Sequence, residues 1–508
     1  MSQPETGAGA PKTDSSSSLG RFPQAVFNYG LGAVLPKILS FLLIPLYTAY
    51  LTPTDYGILD LAASLGLLLT VAMRFGLPGA VTRFYYDFGE GEGLRDYVST
   101  ITWALLGTGL TVAGLVLAVG PWTIERILPG LAYFPYVVLV VLAATVEGPT
   151  ELQRRLIRAR EQSGYSARLT TTMALVTLSL TVFFVAGLRW GAMGHLIGSL
   201  LASSIFLLQA TWYLRRDIKG SFRWALLAPS FAYASGILPS KLVGNIEPVV
   251  TRSILTHTNT LAAVGLLAVA VRFTQPLNIL LVAFNSAYEP FYFSTRLEET
   301  PESLERLRVL GRSVWTTALG AALGVALTGP IAVELMTPLT YHGAAWLVPI
   351  LTLAFLARVV YNLLGMEIFF SKRTFLVPMV SAASAVAVIV TAALTARPFG
   401  AAGVAWATVA GALTAAVLAA VAAAYTVRLP HDWWSLGRST VLAVGIAVVH
   451  RFLPGDGLGL RIALAGAALL AFPALLWLTG DPTVREALTW LRHRRRPAPA
   501  TTPKDDVR

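Results

Sequence analysis

The chain has 508 residues, 55% hydrophobic and only 13% charged, with a mean hydropathy of +0.64; soluble domains carry about a quarter charged residues, so water is excluded as its main solvent. It has no cysteine, which excludes disulfides, thiolate chemistry and cysteine metal sites. The net charge of +12 is distributed as membrane topology requires rather than gathered for nucleic acid.

Residues 1–20 are rich in Ser, Gly and Pro and lack the apolar core of a cleavable signal, so they read as a disordered cytoplasmic tail. A membrane-spanning helix needs about 20 mostly apolar residues. Fourteen windows are predicted to span. In chain order they are 24–50, 57–80, 98–119, 131–150, 169–188, 191–214, 229–253, 260–290, 309–328, 346–369, 374–396, 399–427, 436–452 and 458–479. The charged segment before the ninth window, with Glu298, Glu302 and Glu305 among Arg296, Arg306 and Arg308, reads as a solvated amphipathic helix. Residues 481–508 form a basic tail with Arg492 and Arg494-Arg495-Arg496, which suits anionic headgroups and equally a plain topology signal.

Positive loops stay in the cytoplasm. With both termini inside, Arg154-Arg155, Arg215-Arg216 and Lys372-Arg373 all fall on the cytoplasmic side. Outside loops or their edges then hold Arg126, Arg189, Arg252, Arg397, Arg451 and Arg461.

The windows contain a repeat. Pro36-Lys37 and Pro45 recur as Pro239-Ser240-Lys241 and Pro248, with the same nine-residue interval between prolines. Leu51-Thr52-Pro53-Thr54-Asp55 matches Leu255-Thr256-His257-Thr258-Asn259, and Arg74-Phe75-x-x-Pro78 matches Arg272-Phe273-x-x-Pro276 across a six-residue gap. An offset of about 204 residues spans six helices, so the halves share one orientation, a parallel repeat about an axis along the membrane normal. The expected fold is all-α: a six-helix lobe at 21–220, a second at 221–428 and two additional helices at 429–480.

The stretch Phe27-Asn28-Tyr29-Gly30-Leu31-Gly32 through Pro36-Lys37, then Ile44-Pro45-Leu46-Tyr47 and Leu51-Thr52-Pro53-Thr54-Asp55-Tyr56-Gly57, resembles the opening of the polysaccharide biosynthesis (oligosaccharide flippase) family. Gly76-Leu77 and Arg83-Phe84-Tyr85 continue the similarity. That family is part of the multidrug/oligosaccharidyl-lipid/polysaccharide exporter superfamily, whose members have two six-helix lobes. The resemblance implies a polyprenyl-pyrophosphate-linked oligosaccharide as cargo, alternating access as mechanism, and capsule, exopolysaccharide or O-antigen assembly as setting. It further implies a bacterial inner membrane, with a polysaccharide polymerase and glycosyltransferases as pathway partners and no nucleic acid.

A charge at mid-span is costly, so intramembrane charges face a protein interior or an aqueous cavity. Lys37 lies roughly 18–20 Å into the first window at 1.5 Å per residue, and Lys241, Arg272 and Arg358 sit at comparable interior positions. Arg74 is nearer a span end, where it can also snorkel to the headgroups. Lys241, Asn245, Pro248 and Arg252 share one helical face, as do Arg358, Tyr361, Asn362 and Gly365. One reading is a cationic chamber for the pyrophosphate, with bidentate guanidinium contacts and with Tyr47 and Tyr361 stacking on sugars. The other pairs each cation with an acid such as Glu147, Glu247, Glu289 or Glu367, which ties helices together. As a set, five in-span bases suit an anionic cargo.

Pro36, Pro45, Pro239, Pro248 and Pro276 are candidate hinges, since proline frees backbone carbonyls within a span. Glu247 and Glu367 are candidates for H+ or Na+ coupling, and membrane potential is an alternative source of work. No cofactor is called for. There is no phosphate-cradling Gly-x-x-x-x-Gly-Lys-Ser/Thr loop, and the six histidines lack metal-binding spacing. No catalytic residue or metal ligand is assigned, and the chain reads as a transporter rather than an enzyme. A cation-coupled multidrug exporter of the same fold is the alternative, for which an acidic cavity is expected. An integral-membrane glycan polymerase or ligase ranks below it because every predicted outside segment is short.

Overall fold

The computed structural model describes residues 34–88, 91–298, 300–371, 373, 375–426, 432–453 and 457–481. The expected tail at 1–20, all of the expected 481–508 tail beyond Asp481, and the Phe27 to Gly32 motif lie outside these residues. Every element among the described residues is helical.

Helix α1 covers 34–42 and α2 covers Ile44–Tyr50, with Leu43 between them and Pro45 in the first turn of α2. Proline is tolerated there because the first turn has no intrahelical partner for its missing N–H. The Leu51-Thr52-Pro53-Thr54-Asp55 motif proves to be a helix start. Thr52 Oγ1 accepts the Asp55 backbone N–H at 3.1 Å, and the Asp55 carboxylate accepts the Thr52 N–H at 2.9 Å. This reciprocal cap begins α3 (Pro53–Arg74). Phe75 and Gly76, with φ of 47° and 75°, turn the chain into α4 (Leu77–Phe84). The first half continues through α5 (Glu92–Ile127), α6 (Val138–Ala159), α7 (Ser163–Val182) and α8 (Gly191–Leu214).

The second half comprises α9 (Trp224–Thr258), α10 (Leu261–Phe273), α11 (Gln275–Leu297), α12 (Pro301–Met336), α13 (Leu347–Phe370), α14 (Leu376–Phe399) and α15 (Ala401–Thr426). Thr260 caps α10 by accepting the Ala263 N–H, and α10 and α11 bend by 46° at Thr274. Helices α16 (Trp433–Phe452) and α17 (Leu458–Leu478) pack against α12. Within each half the helices pack on one another. The halves join mainly where α3 meets α10 and α9.

Among the described residues, ten helices are long and apolar enough to cross a membrane, or eleven with the bent α10–α11 pair counted as one span. The windows at 24–50, 229–253 and 436–452 fall on α1–α2, α9 and α16, which are not among them. Polarity explains the second and third: α9 carries Lys241, Glu247 and Arg252, and α16 carries Arg438, His450 and Arg451. Of the first window, residues 24–33 lie outside the described residues. Elsewhere, large apolar side chains such as Trp122, Leu208, Leu394 and Leu470 face outward, as lipid rather than water demands.

Candidate functional site

A cavity of about 400 Å³ lies among α1, α2, α6, α7, α8 and α10, within the usual size range of small-molecule sites. Thr170, Ala174, Thr177 and Thr181 line it from a single face of α7, because residues three or four apart on a helix stand above one another. Across from them is Tyr47, whose hydroxyl hydrogen-bonds that of Thr181 at 2.5 Å. The His195 ring meets Tyr47 edge-on at 5.5 Å, and its Nδ1 is enclosed without a hydrogen-bond partner. Arg154 of α6 and Arg272 of α10 add two guanidinium groups, and among the described residues no carboxylate belongs to the lining. Hydroxyls, an imidazole and two guanidinium groups, of which only Arg272 lacks an acid partner among the described residues, together suit a polyhydroxylated anion.

Arg272 is in the last turn of α10, just before the 46° bend. Its guanidinium lies over the Tyr56 ring at 5.3 Å, and among the described residues it has no carboxylate partner. Arg74 differs: it pairs with Glu147 at 2.8 Å. Glu147 also meets Arg154 at 3.6 Å, and Arg154 reaches Glu151 at 2.9 Å. Glu151 further accepts Arg155 at 2.8 Å. Arg74, Lys241, Glu151 and Arg155 line a second, smaller cavity of about 90 Å³.

The other predicted site residues are dispersed. Lys37 is exposed on α1 and lies outside the larger cavity's lining, and Arg358 is exposed on α13. Asn245 donates its side-chain amide to the Lys241 carbonyl at 2.7 Å. Asn362 faces a void of about 10 Å³ beside Asn285 and Tyr288. Glu247 is within electrostatic reach of Arg252 and Arg358. Glu367, only 1% exposed, accepts the Tyr292 hydroxyl at 2.6 Å and lies 3.6 Å from Arg296. Arg252 is not at a loop edge but inside α9, paired with Asp60 of α3 at 2.9 Å.

Among the prolines, Pro36 lines the larger cavity, Pro239 and Pro248 lie within the continuous α9, and Pro276 begins α11 at the bend. Sequence reasoning missed Arg154, Thr181, His195 and Asp60. The threonine spacing of α7 was a usable signal for the cavity wall. Asp60 had none, because its partner is 192 residues away.

Residues 24–296 match the family model described as polysaccharide biosynthesis protein. The chain belongs to that family. No curated protein matches it in sequence. Among solved structures, it resembles the lipid II flippase MurJ in an inward closed conformation, with a TM-score of 0.69 at 12% identity over 88% of this chain and 98% of that one. It also resembles a multidrug resistance MATE family transporter of the MOP superfamily in an inward-facing conformation. There the TM-score is 0.59 at 14% identity, over 78% of this chain and 97% of that one. This family member therefore has the multi-pass helical fold that flippases and multidrug exporters share.

Proposed function

We propose that the chain is a flippase that translocates a polyprenyl-pyrophosphate-linked oligosaccharide across a bacterial cytoplasmic membrane by alternating access. In this reading the α7 cavity receives the headgroup. Arg272 and Arg154 hold the pyrophosphate through charge-assisted contacts, the threonine face and Tyr47 meet the first sugars, and Lys241 and Arg74 lie on the approach. The single observation that carries the reading is the lining of the larger cavity, which among the described residues has two guanidinium groups, that of Arg272 without an ion-pair partner, and no acid. The family match supports it. The glycan serves capsule, exopolysaccharide or O-antigen assembly, with a polymerase and glycosyltransferases as partners, and H+ or Na+ gradients or the membrane potential supply the work.

The competing reading, a cation-coupled multidrug exporter, draws on the shared fold and on Glu247, an acid within electrostatic reach of Arg252 and Arg358. Reconstitution into liposomes with a labelled polyprenyl-pyrophosphate oligosaccharide separates the two. Protein-dependent appearance of the label at the far leaflet, enhanced by an imposed gradient, is expected. Failure to move that lipid, together with gradient-driven movement of a cationic dye, would reverse the assignment.

A further inference from the structure

One side chain belongs both to the cavity and to the contact that closes one end of the junction between the halves. The Arg272 guanidinium lines the cavity and lies over the ring of Tyr56. Tyr56 is 1% exposed and meets the ring of Tyr341 edge-on at 5.6 Å. Tyr341 is wholly buried and donates its hydroxyl to the Leu51 carbonyl at 2.8 Å. Leu51 immediately precedes the cap of α3, and one residue beyond Tyr56 is Gly57, where α3 crosses α10 with no room for a side chain. An unbroken series of contacts therefore leads from the cavity cation to the seal between α3, α10 and the 339–344 turn.

Tyr56 has another unusual property: its hydroxyl is enclosed without a hydrogen-bond partner. Buried hydroxyls nearly always find one, and phenylalanine would fill the same space without an orphaned group. This arrangement thus leaves one polar group at its centre unsatisfied, and rearrangement can relieve that.

We infer that Tyr56 is a coupling residue: its ring holds Arg272 while the cavity is empty, and release of that contact by an anionic headgroup loosens the Tyr341–Leu51 seal. The inference rests on the flippase reading above. Its energetics follow from the ranking of the two contacts. A cation over a ring is held more weakly than a guanidinium bonded to phosphate oxygens, so cargo wins Arg272 from Tyr56. A ligand shifts a conformational equilibrium only through unequal affinity for its two states. Here the inequality comes from the Arg272–Tyr56 contact, present in the closed state and surrendered when cargo binds.

The cysteine-free chain allows a direct test. Spin labels on Trp190→Cys and Leu339→Cys, both exposed positions, the first just before α8 in the first half and the second in the 339–344 turn of the second, report its opening as an interlabel distance in nanodiscs. Sugar-free polyprenyl pyrophosphate is the probe, and its binding is measured separately in the same discs. In the Tyr56 background the lipid is expected to lengthen the distance. In Tyr56→Leu the lipid still binds within a few-fold of the parent but the lengthening is lost, whereas Tyr56→Phe, which keeps the ring, retains it. Tyr341→Phe is expected to show the longer distance without any lipid, an outcome independent of whether the Leu variant folds. Equal lipid-induced lengthening in the Leu variant and the parent, or no change in Tyr341→Phe, overturns the coupling role. Absence of lipid binding to the parent overturns the flippase reading itself.

Discussion

Gly57 and Gly265 hold α3 and α10 at backbone contact. A Cβ on Gly57 would lie 2.1 Å from the Leu261 carbonyl oxygen, and one on Gly265 would lie 1.9 Å from that of Pro53. Within a bilayer, where lipid is as apolar as leucine, such close backbone approach supplies much of the attraction between helices. The crossing joins the two halves of the chain at the end where α3 and α10 begin.

Gly57→Ala or Gly265→Ala forces the helices apart. Overpacking of this kind costs about 1–3 kcal/mol. Each variant is expected to melt earlier in detergent than the parent, while Gly79→Ala, at a position with open space around its Cβ, melts with the parent.

The Asp60–Arg252 pair is mostly enclosed, with 20% and 16% of the side chains exposed. Removing one partner of such a pair leaves an uncompensated charge and costs about 3 kcal/mol or more. Arg252→Met is expected to be strongly destabilising. The double variant Asp60→Leu with Arg252→Met is expected to recover much of the loss. A double-mutant cycle of thermal stability measures the coupling.

Arg272 and Arg74 are expected to respond differently to alanine. Arg272 forms no ion pair among the described residues, so Arg272→Ala leaves thermal stability nearly unchanged while weakening polyprenyl pyrophosphate binding at least tenfold, equivalent to about 1.4 kcal/mol. Arg74→Ala takes from Glu147 its nearer ion partner, leaving only Arg154, at 3.6 Å, among the described residues, and lowers stability as well. Binding and melting measured on the same preparations distinguish the two.

Glu367 is buried between Tyr292 and Arg296, which places α11 against α13. Glu367→Leu leaves the Tyr292 hydroxyl without its acceptor, at a cost of about 1–3 kcal/mol, and is expected to reduce stability more than Glu367→Gln. In liposomes the residual transport by Glu367→Gln is expected to keep the parent's dependence on ion gradients. Loss of that dependence would instead assign Glu367 to coupling.

Several features were legible in the sequence because they are local. Apolar windows marked the positions of most helices, and the 191–214 window coincides with α8, whereas α5 and α12 extend well beyond both ends of theirs and one window merged α10 with α11. The Leu51-to-Asp55 motif read as a family signature and proved to be the cap of α3. The Arg-Phe-x-x-Pro correspondence, the least regular part of the repeat, falls on equivalent breaks: Arg74 ends α3 before Pro78 in α4, and Arg272 nearly ends α10 before Pro276 in α11. The six-residue gap falls where α3, with 22 residues, is longer than α10, with 13.

Composition and periodicity by themselves determined that the chain is a helical membrane protein with cations in its spans, since hydropathy and helical phase are properties of neighbouring residues. They did not determine which cations are free. Arg74 and Arg272 occupy matching motifs, yet one faces Glu147 and the other a ring and a cavity. Likewise the partner of Arg252, the acceptor of Tyr341 and the meeting of Gly57 with Gly265 join residues separated by 192, 290 and 208 positions. Only tertiary packing decided them, because it brings together groups that no helical period relates.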